Sequence, residues 1–417
     1  MDNESSATSR DFRVPAFLVG GQPRYIFQNA LTCEPSVSVS LYEAYLSQKG
    51  GSSGSVKNIL DRLVYLFTWA SHQGVHIERL LLNGLAPQPA EVRAFAYWLS
   101  QLKSSSSNPD KASEPITLGT YNSALDAGAS IFAWFITQFG AFEGGENFQT
   151  LERVKVADSV KELFRSQKKK NHKKPFADDM SEEDIAAVEK YLKPANRVDV
   201  DKAIATRDYL LWRLAIEFGL RQGEMLALRT CDCPHARQNY IKIIRIDERG
   251  ANYTDPRGAY MLRVKTLSRE LGFALKDSPV PRLIGNYITE HRCRMVNRNG
   301  KSMKQPILDH DFLIINNFRK DGRPLSRSGM QKLAQSIALN AGVKFHWHLA
   351  RHAFFNRAYA GLMSQPDLKE RLIDLAHWGG WEDEKSLRLY VNRARRERAT
   401  TALTFWQDGG NVWDALK

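Results

Sequence analysis

With 417 residues, 43% hydrophobic and 25% charged, the chain is long enough for two or three cores and has neither the bias of a fibrous protein nor that of a disordered one. Its 59 Lys and Arg against 46 Asp and Glu leave a formal +13, which favours a polyanionic partner. Four cysteines make no disulfide framework, the polar start from Met1 to Asp11 has no secretory h-region, and the longest apolar run, Ala127 to Ile136, is too short to span a bilayer; the composition fits a cytoplasmic protein with no membrane partner.

In chain order, residues 1–40 are mixed and read as an N-terminal arm or extension. A helical pattern starts at Leu41 and, after the breaker Gly50 to Gly54, resumes from Val56 to Ala70 with Leu60, Leu63, Val64 and Phe67 on one stripe. Further helices are expected over Pro89 to Lys103 and Thr117 to Phe139, so 41–164 reads as a small helical domain with Phe67, Trp69, Trp98 and Trp134 in its core. A basic run follows, with Lys168, Lys169, Lys170, Lys173 and Lys174 ahead of Pro175. It reads as an interdomain linker over 165–180 that neutralises phosphates with little sequence preference.

Ser181 with Asp184 forms a capping-box pattern that opens a second domain over 181–400. Helices are expected at Ser181 to Leu192, Lys202 to Phe218, Pro281 to Met295, Ser326 to Asn340 and from Leu349 onward. Short β runs at Tyr240 to Ile246, Ala259 to Lys265 and Gly272 to Leu275 predict a small antiparallel sheet. The expected fold is mainly α with a small antiparallel β-sheet in the second domain, followed by a tail over 401–417.

The chemistry is concentrated late in the chain. His348 and Arg351 lie three residues apart, on one helix face, and Tyr390 follows Trp381 by nine residues. Earlier, Arg221 stands in G-L-R-Q-G-E-M-L-A-L with Glu224 placed to pair with it and orient it. The ordered set G-L-R-x-x-E-x-x-A-L, V-K-T, H-L-A-R-H and G-W followed by Y resembles the tyrosine recombinases, or phage integrase family. The resemblance covers roughly residues 41–400. It implies a two-domain clamp, in which 41–164 is a core-binding domain whose T-L-G-T-Y-N-S-A-L helix lies near DNA and 181–400 is the catalytic domain.

Phosphodiester transfer explains why these residue types are wanted. Charge builds on the nonbridging oxygens of the pentavalent transition state, and two guanidiniums that never lose their charge, Arg221 and Arg351, fork onto them. By the resemblance, Tyr390 is the nucleophile and forms a covalent 3′-phosphotyrosine that keeps the energy of the broken bond. No cofactor is then needed, and Gly300-Lys301-Ser302 lacks the upstream glycine of a P-loop. By the resemblance, Lys265 in V-K-T is the general acid, with Lys276 as the alternative. His348 donates to a nonbridging oxygen or helps accept the tyrosine proton. Trp381 donates and packs, His352 is a partner behind Arg351, and His377 stands thirteen residues before Tyr390, outside the set.

No metal is expected. Cys231-Asp232-Cys233-Pro234-His235 lacks a second ligand pair, and no Glu follows His348 as in H-E-x-x-H. The resemblance implies a bacterial or phage-encoded, nucleoid-associated recombinase acting on double-stranded DNA recombination sites as a homotetramer on two paired sites, with the tail docking in trans. A type IB topoisomerase and a non-catalytic DNA-binding protein of the same fold are the alternatives.

Overall fold

A computed structural model of the chain describes residues 11–20, 22–49, 53–103, 115–141, 145–170, 179–235, 238–245, 248–249, 254–258, 264, 266–272, 278–363 and 366–407. The chain divides into two compact units, Met1–Lys173 with Gly258–Tyr260, and Lys174–Arg257 with Met261–Lys417.

The first unit starts with two short antiparallel pairs, β1 (Phe12–Arg13) with β4 (Gln28–Asn29) and β2 (Ala16–Val19) with β3 (Gln22–Tyr25). Among the described residues six helices follow: α1 (Val37–Gln48), α2 (Ser53–Gln73), α3 (Ile77–Leu82), α4 (Pro89–Gln101), α5 (Leu118–Phe139) and α6 (Glu146–Ser166). The α2 stripe read from the sequence is buried, as are Phe67 and Trp69, while Trp98 and Trp134 pack against the same core half-buried. Phe12 stacks on Phe27 at 5.3 Å, and Phe27 meets Phe67 edge-on at 4.9 Å. Strands of two to four residues show no periodicity in a sequence, yet these aromatics tie them to α2. Helix α6 was not expected; its inward stripe, Ala157, Val160 and Phe164, is narrow among charged neighbours.

The second unit opens with α7 (Glu182–Leu192). The Ser181 hydroxyl accepts from the Asp184 N–H at 3.1 Å and the Asp184 carboxylate accepts the Ser181 N–H at 3.2 Å, the reciprocal cap read from the sequence. Helix α8 (Lys202–Phe218) runs through the core, burying Leu210, Leu211, Trp212, Leu214 and Phe218 against α7 and later helices. Then come α9 (Gln222–Ala227), β5 (Tyr240–Ile243), β6 (Arg269–Gly272) and α10 (Val280–Asn286). Strands β5 and β6 pair antiparallel, from Tyr240 opposite Gly272 to Ile243 opposite Arg269. The last strand therefore lies three residues earlier than expected, and the middle run at 259–265 falls outside the described residues except Val264.

The helix expected to reach Met295 ends instead in a π turn at Tyr287–His291. The Arg292 guanidinium is held by the carbonyls of Phe312 and His310, and β7 (Arg294–Arg298) pairs with β8 (Lys301–Gln305). Asn299 and Gly300, both at positive φ (51° and 74°), make the turn; Asn-Gly is a strong hairpin signal that lies beyond the expected helix. The unit closes with α11 (Arg327–Ala341), α12 (Trp347–Leu362), α13 (Leu368–Gly379) and α14 (Arg388–Gln407). Among the described residues no helix is long and apolar enough to cross a membrane.

Candidate active site

Helix α8 stops at Gly219, whose φ of 62° and N–H to the Ala215 carbonyl make a left-handed cap. A Cβ there would come within 2.4 Å of the Phe354 ring, so only glycine fits. The sharp turn buries Leu220 and delivers Arg221 to the N-cap of α9, where its backbone N–H donates to Glu224 Oε2 at 2.8 Å.

Glu224 is the hub of the site. Its buried carboxylate accepts from Arg269 Nη1 and Nη2, both at 3.2 Å, from Thr266 Oγ1 at 2.5 Å and from Arg221 Nη1 at 3.4 Å, with Arg351 Nη1 at 3.9 Å. Burial opposes its charge, but the arginines and the Thr266 hydroxyl outweigh it and hold the carboxyl below its usual range. Arg269, on β6, is fully buried and also donates to the Trp378 carbonyl at 2.6 Å.

From α12, Arg351 reaches the same place. Its Nη1 donates to the Gly219 carbonyl at 2.5 Å and its Nη2 to the Gly379 carbonyl at 2.9 Å, which also accepts from Arg221 Nη1 at 3.0 Å. One carbonyl at the end of α13 thus joins both guanidiniums. The Trp381 ring lies 4.8 Å from the Arg351 guanidinium and 5.7 Å from that of Arg221. Burial, then the charge of Arg221, pushes Arg351 down to about 9. A guanidinium keeps its proton, so this cost remains in the site as attraction for an anion. Nε of Arg351 is buried without a hydrogen-bond partner.

Tyr390, near the start of α14, is 2% exposed and lies against Phe355 (5.6 Å) and Trp381 (5.9 Å). Burial pushes its phenol up to about 12, partly offset by Arg351 and Arg221. Its hydroxyl lies 2.9 Å from Nδ1 of His352, whose ring meets that of His348 edge-on at 4.3 Å. His348 opens onto the groove, and desolvation on its inner side, with His352, Arg351 and Arg221 nearby, pushes it down to about 4. The groove has a volume of about 1070 Å³ and is walled by Arg221, Thr266, His348 and Trp381 among others. That lies at the upper limit for small-molecule sites and suits a polymer segment. Arg351 and Tyr390 are not in its lining; they sit behind the wall.

Residues 180–397, more than half of the chain, match the model of the phage integrase family. The chain belongs to the phage integrase family. It is a tyrosine-type site-specific recombinase. Among solved structures its fold is similar to that of the XerH site-specific recombinase bound to difH substrate in a pre-cleavage complex, at 16% identity and TM-score 0.50 over 86% of this chain and 82% of that one. It is also similar to XerH bound to palindromic difH substrate in a post-cleavage complex, at 15% identity and TM-score 0.51 over 90% and 86% of the two chains. No curated protein matches the sequence.

Of the integrase residues expected from the sequence, Arg221, Glu224, His348, Arg351, His352, Trp381 and Tyr390 come together in one cluster. Lys265 and Lys276 lie outside the described residues, although Val264 and Thr266, on either side of Lys265, both line the groove. His377 is exposed on α13. In the first unit, Lys168 Nζ pairs with Asp126 at 2.9 Å and Lys169 Nζ lies 4.8 Å from the Tyr121 ring centre, while Asn122 brackets the Lys169 backbone. These lysines lean on α5, the helix carrying T-L-G-T-Y-N-S-A-L. Lys170 is exposed, and Lys173 and Lys174 lie outside the described residues.

Sequence reasoning missed Arg269, Thr266 and the Gly219 and Gly379 carbonyls. A lone arginine in a β run carries no signal of burial, and a carbonyl has no letter of its own. Among the described residues no group of three or more His, Cys, Asp or Glu is placed to hold a metal. The Cys233 thiol is buried, donates to the Arg229 carbonyl and is held protonated by burial.

Proposed function

We propose that Tyr390 Oη attacks a DNA phosphodiester held between Arg221 and Arg351, giving a 3′-phosphotyrosine and a free 5′ hydroxyl, and that reversal onto a second strand completes recombination. The observation that carries this reading is the convergence of two desolvated guanidiniums on one carbonyl with a buried phenol in the same cluster. Nonbridging oxygens entering the groove take over donors that the Gly219 and Gly379 carbonyls now occupy, and Glu224 with Arg269 keeps both clamps aimed. His348, held neutral, donates to one of those oxygens. The Trp381 indole N–H, which has no acceptor among the described residues, donates to another. Lys265 protonates the leaving 5′ oxygen, supported by its neighbours Val264 and Thr266, which line the groove; Lys276 is the alternative. The phosphotyrosine conserves the bond energy, so no nucleotide cofactor takes part.

The partners in this reading are paired double-stranded DNA sites in a bacterial or phage-infected cytoplasm, bound by a homotetramer. The XerH structures, a site-specific recombinase bound to difH substrate, support the DNA partner. Helix α14 extends to Gln407 with Leu403 exposed, consistent with a tail that docks on a neighbouring protomer. Removal of residues 403–417 is expected to leave the monomer folded and abolish higher assembly on DNA in sedimentation; an unchanged oligomer refutes trans docking.

A duplex nicked just beyond a candidate site, taken from DNA neighbouring the gene, tests the chemistry. The short fragment diffuses away and traps the covalent complex on a denaturing gel. The native protein is expected to form an adduct that Tyr390→Phe does not. Relaxation of supercoiled plasmid without a defined site would point to topoisomerase action, and tight binding without any adduct to a non-catalytic DNA-binding protein.

A further inference from the structure

We infer that His352 is the proton acceptor for Tyr390, a catalytic role separate from that of His348. The inference rests on the reading of Tyr390 as nucleophile and names the group that makes it reactive. The phenol hydroxyl lies 2.9 Å from Nδ1 of His352, while His348 makes no hydrogen bond to Tyr390 among the described residues. Both histidines stand on α12, four residues apart, and their rings touch edge-on. The division of labour follows from placement: His348 lines the groove where phosphate enters, and His352 faces inward to the phenol.

An acceptor is needed because burial keeps the proton on the phenol oxygen at neutral pH. The charged groups around it are Arg351 and Arg221, which favour phenolate, and Asp179, which opposes it. These leave the phenol well above neutrality, so the proton must leave as the bond to phosphorus forms. Tyr390 donates to Nδ1, which requires His352 to carry its own hydrogen on Nε2. As Oη bonds to phosphorus, the phenolic proton passes to Nδ1. The phosphorus–O5′ bond breaks with its electron pair on O5′, and Lys265 supplies the proton there. On rejoining, the 5′ hydroxyl attacks, the phosphorus–Oη bond breaks, and His352 returns its proton to Oη. The neighbouring His348 ring, held neutral, adds no fixed charge against the imidazolium that forms for a moment on His352.

The test is the pH profile of adduct formation on the nicked duplex for the native protein, His352→Ala, His352→Gln and Tyr390→Phe, with DNA binding measured alongside to show that each variant folds. The native rate is expected to climb on the acid side and to level off once His352 has lost its proton. His352→Ala is expected to fall by about 100- to 10,000-fold at neutral pH, to keep rising into alkali without a plateau, and to be restored in part by added imidazole. His352→Gln retains an acceptor for the phenol hydrogen but cannot carry a proton away, so it is expected to fall equally. An unchanged profile in both variants, or full activity in His352→Gln, overturns the inference and leaves Tyr390 as nucleophile. An adduct that survives in Tyr390→Phe overturns the nucleophile reading, and the inference falls with it.

Discussion

At the scale of single residues, the site is organised by one buried carboxylate. Glu224 binds the backbone of Arg221, forks onto Arg269 and stands 3.9 Å from Arg351. Glu224→Ala strands Arg269, a charge with no solvent contact, and breaking a buried pair costs about 3–5 kcal/mol. A lowered urea midpoint with loss of adduct is the expected result; a stable, active variant would refute the hub. His348 contributes to the acid response, as do His291 and His310, which burial also pushes down. Its folded value of about 4 lies below the ordinary histidine value of roughly 6.5, so between these the unfolded chain binds more protons. Stability contributed by the neutral ring is full above that ordinary value and falls as pH drops toward the folded one. His348→Gln is expected to flatten this part of a stability-against-pH curve, while the loss from Glu224, whose value is also depressed, persists at more acid pH. Arg221, His348 and Arg351 were legible because each stands in a short motif. Arg269 was not, since its partner lies 45 residues away.

At the scale of elements, the site depends on where helices stop. Gly219 ends α8 so that Arg221 begins α9, and the end of α13 turns Gly379 and Gly380 under the two guanidiniums. Gly219→Ala adds a Cβ into the Phe354 ring at a backbone angle that L residues rarely adopt. A loss on the order of 1–3 kcal/mol is expected, with adduct formation falling further than DNA binding because Arg221 is misaimed; equal falls in both would count against that view. Gly380 has a similar constraint, since a Cβ would meet Arg269 at 2.5 Å and Thr266 at 2.8 Å. Helix starts and lengths were readable from caps and stripes, as at Ser181 and in α8. The β7–β8 hairpin was not, although Asn299-Gly300 announced its turn, because its strands, R-M-V-N-R and K-S-M-K-Q, are largely polar and carry no apolar alternation.

At the scale of the whole molecule, the sequence carries +13 and the site wants an anion. If Lys168, Lys169 and Lys170 beside α5 contact phosphates, replacing all three by Ala should reduce the magnitude of the log–log salt slope of duplex binding by about 0.9 per lost contact. Adduct formation at saturating protein should hold. A slope equal to that of the native protein assigns the lysines to a solvated surface. The pairing of Lys168 with Asp126 gives one reason their contributions should differ.

Local sequence determined the reactive residue types, the helix that puts His348 and Arg351 three residues apart, the cap at Ser181 and the excess of positive charge, because each depends on neighbours a few positions along the chain. Tertiary structure alone decided that Arg351 reaches Gly219 across 132 residues, that Arg221 reaches Gly379 across 158, and that Tyr390 meets His352 across 38. Those contacts arise only when α8, α12, α13 and α14 pack, and no spacing along the chain specifies which buried donor meets which acceptor.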